Sequence, residues 1–187
     1  MTPWKLRQAV NLLNKGGVIA YPTETVYGLG CDPLDFNAVA HLCEIKQRSL
    51  DKGLILIAST VEQILPYVSV SRAALKPLTQ KQARPTSWVI PASDHCPIWI
   101  RGKHTGIAVR ICNHPVARQL CDLSGYPLVS TSANISQQPV ASTPLAIQQV
   151  FMGNIDMIIH DECGHQAAHS AIKDLISHKV LRKHAAS

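Results

Sequence analysis

The chain has 187 residues, of which 46% are hydrophobic and 16% are charged, and its formal net charge at pH 7 is +6. This composition excludes an intrinsically disordered chain, because a hydrophobic fraction of this size can form a core. The N-terminus lacks a signal-peptide pattern and no segment approaches the roughly 20 apolar residues that span a bilayer, so we expect a soluble, cytoplasmic protein with no membrane partner. The length predicts a single domain over residues 1–187.

The six cysteines are scattered along the chain, and none of them forms a C-x-x-C pair. A chain that can form its own core does not need a disulfide framework, so we interpret these residues as reduced, buried thiols. That pattern is typical of a reducing compartment such as the cytoplasm.

Positive charge is concentrated in the middle of the chain. Residues 63–121 contain eight basic residues and one acidic residue, whereas residues 119–172 contain no Lys or Arg. This asymmetry predicts a basic surface for a polyanion, such as nucleotide phosphates or RNA. An ordinary solvated basic surface is the alternative, and charge alone does not decide between the two.

The first half of the chain alternates between helical and strand-like patterns. Apolar spacing and capping residues predict a helix over 3–15, a strand over 18–21, a loop over 22–30, a helix over 35–48, a strand over 54–58 and a helix over 60–65. Helices and strands are therefore interleaved from the start.

The second half continues the same alternation after a basic, serine-containing segment. The predicted elements are strands over 88–90 and 107–111 joined by a connection over 97–106, a helix over 114–123, a strand over 127–129, a polar loop over 130–139, a helix over 143–151 and strands over 157–159, 172–176 and 180–181. Interleaved elements predict an α/β fold with a mixed parallel and antiparallel sheet flanked by helices.

The first polar segment with a candidate role is PTETVYGLG, residues 22–30, directly after the first predicted strand. Hydroxyl groups, backbone amides and glycines at the carboxyl end of a strand can form a pocket for a small ligand. Taken alone, such a segment is more often a tight turn, and its glycines match neither a dinucleotide-binding motif nor a P-loop.

The second polar segment is Lys46-Gln47-Arg48, with Lys52 close behind, at the end of the predicted helix over 35–48. The helix dipole favours cations at this position, which is a sufficient structural explanation. Alternatively, Lys46 and Arg48 face one phosphate chain, because Arg offers a bidentate fork and Lys a mobile point charge.

The third polar segment is Ser-Thr-Ser-Ala-Asn over residues 130–134, directly after a predicted strand. Its small side chains supply several hydrogen-bond donors and acceptors without bulk, although the same residues are common in caps and turns. No G-x-S-x-G elbow surrounds the serines, so a Ser-His-Asp nucleophile is not indicated.

Together, these segments resemble the YrdC/TsaC family in their order and spacing. The resemblance is carried by the Pro-Thr-Glu-Thr loop, Lys46-x-Arg48, the KGLILI segment that begins at Lys52, the AVRI segment with a following His-Pro, and Ser132-x-Asn134. It extends over residues 18–139 and more weakly to residue 182. We interpret the chain as a short, single-domain form of this family, whose twisted α/β fold has a concave, positively charged cavity.

The resemblance implies an enzyme, because members of this family are threonylcarbamoyl-AMP synthases. They convert L-threonine, bicarbonate and ATP into L-threonylcarbamoyl-adenylate and pyrophosphate, and partner threonylcarbamoyl-transferase proteins then modify tRNA. Mg²⁺ is expected to arrive with ATP, with no metal site formed by the protein alone and no tightly bound organic cofactor. tRNA or double-stranded RNA is a further candidate partner.

By position in these motifs, the resemblance also implies site residues. The ATP-binding residues would be Lys46, Arg48, Lys52, Ser132, Asn134 and Arg182. The residues for threonine or bicarbonate would be Thr25, Ser130 and Ser170. A candidate nucleotide loop contains Pro85 and Ser87, and a candidate anion contact is Arg110.

The chain departs from the family pattern in two segments. Residues 83–87 read ARPTS where many relatives have Pro-Gly-Pro-x-Thr, so Arg84 adds a charge where those relatives have glycine. Residues 160–169 contain His160, Cys163, His165 and His169, which invite a zinc interpretation. Their spacing matches no standard structural zinc site.

Two other functions remain open from the sequence. The basic middle segment is consistent with a non-catalytic module that binds double-stranded RNA or a ribosome precursor. Carbamoyl-phosphate-using domains of hydrogenase-maturation proteins are also similar to this family, but they belong to longer chains with cysteine-rich modules, which this sequence lacks.

Overall fold

The structure is a computed structural model that describes residues 2–80, 82, 84–151, 153–164 and 170–182. Six α-helices lie in the described residues: α1 (Pro3–Leu13), α2 (Phe36–Ile45), α3 (Lys76–Thr79), α4 (Ile98–Arg101), α5 (Pro115–Ser124) and α6 (Pro144–Phe151). Short 3₁₀ helices span Leu50–Lys52, Leu65–Tyr67 and Arg72–Leu75. Within the described ranges, no helix is both long enough and apolar enough to span a membrane.

The strands of the described residues form one mixed sheet. They are β1 (Ile19–Pro22), β2 (Tyr27–Gly30), β3 (Ile55–Ala58), β4 (Thr86–Pro91), β5 (Gly106–Ile111), β6 (Leu128–Ser132), β7 (Met157–Ile158), β8 (Ala171–Asp174) and β9 (Val180–Arg182). Their order is β7-β1-β2-β6-β3-β5-β4-β8-β9, in which β7 and β1, β3 and β5, and β4 and β8 pair in parallel. The other neighbours are antiparallel. The predicted fold class, a mixed sheet flanked by helices, is confirmed.

The two faces of the sheet carry separate hydrophobic clusters, because side chains alternate along each strand. On one face, α1 and α5 pack through residues such as Leu13 and Leu120 against Ile57 of β3. On the other face, α2 and α6 contribute to a larger cluster that contains Leu56, the neighbour of Ile57 in β3. Burial on both faces explains why β3 reads as a continuous apolar run in the sequence.

Besides the predicted connection over 97–106, which contains the short helix α4, three predicted elements differ from the structure. Residues 27–30 were predicted as loop, but they form β2, in which Tyr27 and Leu29 are buried and alternate with glycines. Gly30 is needed there, because a Cβ atom would lie 2.8 Å from the ring of Tyr21 in the adjacent strand. The predicted loop over 130–139 is also wrong at its start, since β6 continues through Ser132.

The predicted helix over 60–65 is the third difference, because these residues form turns that lead into the 3₁₀ helix Leu65–Tyr67. The side chain of Gln63 organises this segment by accepting from the Ser59 amide at 3.0 Å and donating to the Cys121 carbonyl at 2.7 Å. Pro66 cannot donate a helical hydrogen bond and so limits the length of any helix here.

Candidate active site

A cavity of about 120 Å³ lies on the sheet face that α1 and α5 partly cover. Arg110 of β5 and Ser130 of β6 are on this face, because the residues next to them, Val109 and Val129, belong to the opposite cluster. The carboxyl end of β1 and the loop to β2 close the cavity with Thr23 and Thr25. Polar residues of β5 and β6 therefore face the cavity from within the sheet.

The end of α2 places a second cation, Arg48, beside this cavity. The Arg48 amide donates to the Cys43 carbonyl at 2.9 Å and the Gln47 amide donates to the Glu44 carbonyl at 2.8 Å. Together with the left-handed backbone of Gln47 (φ 50°), these bonds form a Schellman motif. The motif reverses the chain, and Arg48 lines the cavity with its Nη2 atom bonded to the Gly53 carbonyl at 2.7 Å.

Three arginines, Arg48, Arg110 and Arg182, line this cavity together. Burial lowers the pKa of the Arg182 guanidinium, and the charges of Arg48 and Arg110 lower it further. Burial also lowers the pKa of Arg48. An anion bound among these cations would relieve their mutual repulsion, so the electrostatics of the cavity favour a negatively charged ligand.

Lys46 is arranged differently, since its side chain is only 2% exposed and lies outside the lining of the cavity. Its ammonium donates to the Ser132 carbonyl, to the Asn134 carbonyl at 2.6 Å and to Asn134 Oδ1 at 3.4 Å. The Lys46 carbonyl accepts from the Ser136 amide at 2.8 Å. Burial, aided by the charge of Arg48, lowers the pKa of Lys46 to about 8. Lys46 thus joins α2 to residues 132–136.

Asn134 belongs to the same network. Its Oδ1 atom accepts from the Ser132 hydroxyl at 2.6 Å, and its Nδ2 atom donates to the Ile135 and Gln138 carbonyls, each at 2.9 Å. All the strong hydrogen-bonding capacity of the Asn134 amide is used inside the protein. The network fixes the end of β6, where Ser132 reaches the cavity.

The far side of the cavity is built by β4, β8 and β9. Ser87 is fully buried, and its hydroxyl lies 3.1 Å from the Ser170 hydroxyl. The Ser170 carbonyl accepts from Arg182 Nη2 at 3.0 Å. Ser170 and Arg182 line the cavity, whereas Ser87 supports them from below the surface.

Glu24 is a neighbour of Arg110 to which the sequence analysis assigned no role. Its Oε1 atom accepts from the Asn113 amide at 2.5 Å, and its Oε2 atom lies 3.5 Å from Arg110 Nη2. Burial opposes ionisation of Glu24, but Arg110 and the amides of Asn113 and His114 outweigh it and lower the pKa of Glu24. The signal was present, since Glu24 lies inside the Pro-Thr-Glu-Thr segment, but only the fold brings it to β5.

The structure brings most of the predicted site residues together. The smaller cavity is lined by Thr25, Arg48, Arg110, Ser130, Ser132, Ser170 and Arg182. Pro85 lines a second, larger cavity, and Lys46, Lys52, Asn134 and Ser87 line neither of the two. Lys52 is exposed at the end of a 3₁₀ helix.

The histidine-containing segment over 160–169 is described only in part. His165 and His169 lie outside the described residues, as does Ala83 of the altered 83–87 loop. Within the part of the chain that the structure describes, no group of three or more His, Cys, Asp or Glu side chains is arranged to hold a metal ion. The segment before residue 165 instead packs on the 22–26 loop, where the Gly164 amide donates to the Thr23 carbonyl at 2.9 Å.

Comparison with known proteins identifies the family. The sequence model of the Sua5/YciO/YrdC family, described as Telomere recombination, matches residues 11–184. The chain belongs to this family. Two relatives named threonylcarbamoyl-AMP synthase, from Xanthomonas axonopodis pv. citri and Vibrio cholerae serotype O1, are 42% and 44% identical over 182 and 181 residues. Each alignment covers 95% of this chain and 96% of the relative.

Solved structures of Sua5/YciO/YrdC proteins have the same fold. P. abyssi Sua5 complexed with L-threonine superposes with a TM-score of 0.90 at 32% identity, covering 98% of this chain. The chain spans 55% of the length of that protein. E. coli YciO superposes with a TM-score of 0.85 at 25% identity, covering 100% of this chain and 92% of YciO. The family predicted from the motifs is confirmed.

Proposed function

We propose that this protein is a threonylcarbamoyl-AMP synthase that forms L-threonylcarbamoyl-adenylate and pyrophosphate from L-threonine, bicarbonate and ATP. The names of its relatives and the L-threonine complex of P. abyssi Sua5 support this function. The observation that carries the proposal is the cavity in which three arginines lie beside hydroxyl-bearing residues that include Thr25, Ser130, Ser132 and Ser170. Such a lining suits a small hydroxylated amino acid beside a phosphate chain.

The chemistry needs positioning and charge neutralisation more than a nucleophilic side chain. The amine of threonine forms a bond to the carbon of bicarbonate, and water leaves, which yields a carbamate. A carbamate oxygen then forms a bond to the α-phosphorus of ATP while the bond to the β-phosphate oxygen breaks and pyrophosphate leaves. Two anions must approach each other in this step, so fixed cations lower its barrier. Orientation of the two groups supplies much of the remaining rate.

We assign the phosphate chain to Arg48 and Arg182, with Ser132 beside them. The charge of Arg48 helps to lower the pKa of Arg182, as expected where a polyanion completes the site. Threonine and its carbamate are assigned to Thr25, Ser130 and Ser170, next to Arg110. Lys52 remains a candidate phosphate ligand, because an exposed lysine can reach a phosphate chain that extends out of the cavity.

Lys46 and Asn134 receive a different role from the one expected from the motifs. Their polar atoms are bonded to each other and to neighbouring backbone carbonyls, which leaves them outside the cavity lining. We therefore propose that they position Ser132 rather than bind ATP directly. Pro85 and Ser87 are likewise proposed to shape the cavity walls, since Ser87 is fully buried.

Mg²⁺ is proposed to enter as part of MgATP. Among the described residues, the lining of the smaller cavity contains hydroxyl groups and arginines but no carboxylate. This donor set does not suit a protein-only Mg²⁺ site, so phosphate oxygens and water would supply most of the ligands. The metal-bound nucleotide is therefore treated as substrate.

The experiment that tests the function measures pyrophosphate release in complete mixtures and in mixtures that each lack ATP, L-threonine or bicarbonate. We expect release only in the complete mixture, together with formation of the threonylcarbamoyl-adenylate detected by mass spectrometry. Release that does not depend on threonine would contradict the proposal. Downstream transfer proteins and tRNA are tested separately, by adding them to the complete mixture and measuring modified tRNA.

The non-catalytic RNA-binding function gives a different result in the same assay. It predicts strongly salt-dependent binding of double-stranded RNA with no pyrophosphate release under any mixture. The relatives' names and the hydroxyl-lined cavity favour the enzyme.

A further inference from the structure

A second cavity of about 790 Å³ lies beside the smaller one. It sits at the carboxyl ends of the parallel strands β3 and β5, where Ser59, Thr60 and Asn113 follow the last strand residues. Ligands of open α/β sheets commonly bind at such strand ends. The proposed roles of ATP and threonine leave this cavity without a function.

The charge of the larger cavity is positive, because its lining contains four arginines and two glutamates. Arg72 is paired with Glu62. Arg118 has a distant partner, Asp122, at 4.0 Å, with both side chains about half exposed. Arg84 makes no ion pair with any residue that the structure describes. Two cations, Arg84 and Arg118, are thus available to attract a small anion into this cavity.

Arg110 lines both cavities and so forms part of the wall between them. Its side chain is 9% exposed, and its Nε atom is buried without a hydrogen-bond partner. Glu24 Oε2 lies 3.5 Å from Arg110 Nη2 and balances part of its charge, so it is the free Nε atom of Arg110 that lacks a partner. Unused hydrogen-bonding capacity in a buried wall residue is costly unless a ligand satisfies it. The wall is therefore suited to an anion that contacts Arg110.

We infer that the larger cavity is the vestibule through which bicarbonate reaches the threonine amine, guided by Arg84 and Arg118 and received by Arg110. This inference rests on the proposed function. ATP and threonine are assigned to the smaller cavity, so the third reactant needs a separate approach to the same reacting atoms. Bicarbonate is a small anion that can accept hydrogen bonds from Arg110, and the larger cavity has room for it with its hydration water. In the smaller cavity, beyond Arg110, the carbon of bicarbonate forms the bond to the threonine nitrogen, and water leaves.

The test measures KM for bicarbonate in buffers freed of carbon dioxide, with ATP and threonine saturating. The variants are Arg84→Gln, Arg118→Gln and the double variant, and Arg7→Gln is the control, since Arg7 is an exposed residue of α1 that lines neither cavity. We expect the double variant to raise KM for bicarbonate about three- to tenfold, because two cations that attract the anion towards the cavity are lost. KM for ATP and threonine should stay within about twofold of the wild type.

Four other results would overturn the inference. KM for bicarbonate in the double variant could equal that of Arg7→Gln. The double variant could raise KM for ATP or threonine instead, which would make the larger cavity a site for those substrates. Added KCl could raise KM for bicarbonate equally in the wild type and the double variant. Finally, reactions started with dissolved carbon dioxide could be faster than reactions started with bicarbonate, when both are measured before the two species equilibrate. That result would show that the reactant is neutral carbon dioxide, which arginines do not attract.

The inference and the proposed function can fail separately. A wild-type protein that releases no pyrophosphate in the complete mixture contradicts the function. A wild-type protein that forms the adenylate, with unchanged bicarbonate kinetics in the double variant, contradicts the vestibule alone. Both arginines are exposed on the surface, so thermal unfolding of the variants should match that of the wild type.

Discussion

Lys46 and Arg48 are two residues apart at the end of α2, yet their surroundings are opposite. The Lys46 ammonium is buried, with all three of its acceptors in residues 132–134. The Arg48 guanidinium lines the cavity, has one hydrogen bond to the Gly53 carbonyl and retains a buried Nε atom without a partner. Gln47, the residue between them, has a left-handed backbone, so the side chains of Lys46 and Arg48 point in different directions.

Lys46 and Arg48 therefore illustrate two different roles for a cation within one sequence motif. A cation whose donors are all satisfied by the protein stabilises the loop that it contacts, and its loss leaves buried acceptors unpaired. A cation with spare donors beside a cavity can bind a ligand and contributes little to the folded state without it. We therefore expect Lys46 to govern stability and Arg48 to govern nucleotide use.

The largest expected effect is on stability in Lys46→Met, which keeps the length of the side chain but removes its donors. The Ser132 and Asn134 carbonyls would lose their buried partner, so we expect the free energy of unfolding to fall by about 3 kcal/mol. Urea denaturation followed by circular dichroism measures this change. Lys103→Met is the control, because Lys103 is exposed and paired with Asp51, and it should change stability by less than about 1 kcal/mol. Equal effects of the two substitutions would contradict the buried role of Lys46.

Arg48→Met should show the reverse behaviour. If Arg48 binds the phosphate chain, kcat/KM for ATP should fall about 100-fold, the size of losing one preorganised charge contact. The free energy of unfolding should change by less than about 1 kcal/mol, since a single hydrogen bond is lost. Initial rates of pyrophosphate release at varied ATP, with Arg7→Met as a charge-matched control, measure the effect. ATP kinetics equal to the control would refute the assignment.

The pH dependence of stability tests the burial of Lys46 directly. Its pKa is about 8 in the folded protein, whereas an unfolded lysine has a pKa of about 10.4. Between these values the unfolded state binds more protons, so the free energy of unfolding rises with pH from about 8 to about 10.4, by about 1 kcal/mol per pH unit at most. Below pH 8 this contribution is constant.

The measurement for Lys46 is the difference between wild type and Lys46→Met in urea denaturation at several pH values from 7 to 9.5. Subtracting the variant cancels the titration of the other groups. A difference that stays constant across this range would show that the folded and unfolded proteins hold the Lys46 proton equally, which burial of the ammonium does not allow.

The sequence predicted the fold class and most elements because apolar periodicity reports burial. It failed where polar or small residues occupy strands, as in β2 with its alternating glycines and in β6 at Ser130 and Ser132. Those strands are held by backbone hydrogen bonds. Their small or polar side chains face a closely packed strand, as at Gly30, or the cavity, as at Ser130. Periodicity cannot detect such strands, since it reads side-chain hydrophobicity and not backbone pairing.

The motifs named most of the polar residues that the fold brings to one cavity, whereas the roles of these residues stay predictions. Seven of the predicted residues line one cavity, namely Thr25, Arg48, Arg110, Ser130, Ser132, Ser170 and Arg182. The motif gave no sign that Lys46 and Arg48 point in different directions, because that difference depends on the left-handed conformation of Gln47. Glu24 was missed for a similar reason, since its contact with Arg110 joins residues 86 positions apart that only the sheet brings together.

The smallest expected effect concerns the turn that separates Lys46 from Arg48. Gln47 is exposed and has a φ of 50°, a conformation that strains a residue with a Cβ atom. Gln47→Gly removes this strain but adds freedom to the unfolded chain, so we expect a net gain of about 0.5 kcal/mol in the free energy of unfolding. Gln8→Gly in α1 is the matched control, because Gln8 is exposed within a regular helix, where glycine should cost about 1 kcal/mol. If both substitutions destabilise the protein equally, Gln47 is not left-handed in solution, and the opposite orientations of Lys46 and Arg48 lose their structural basis.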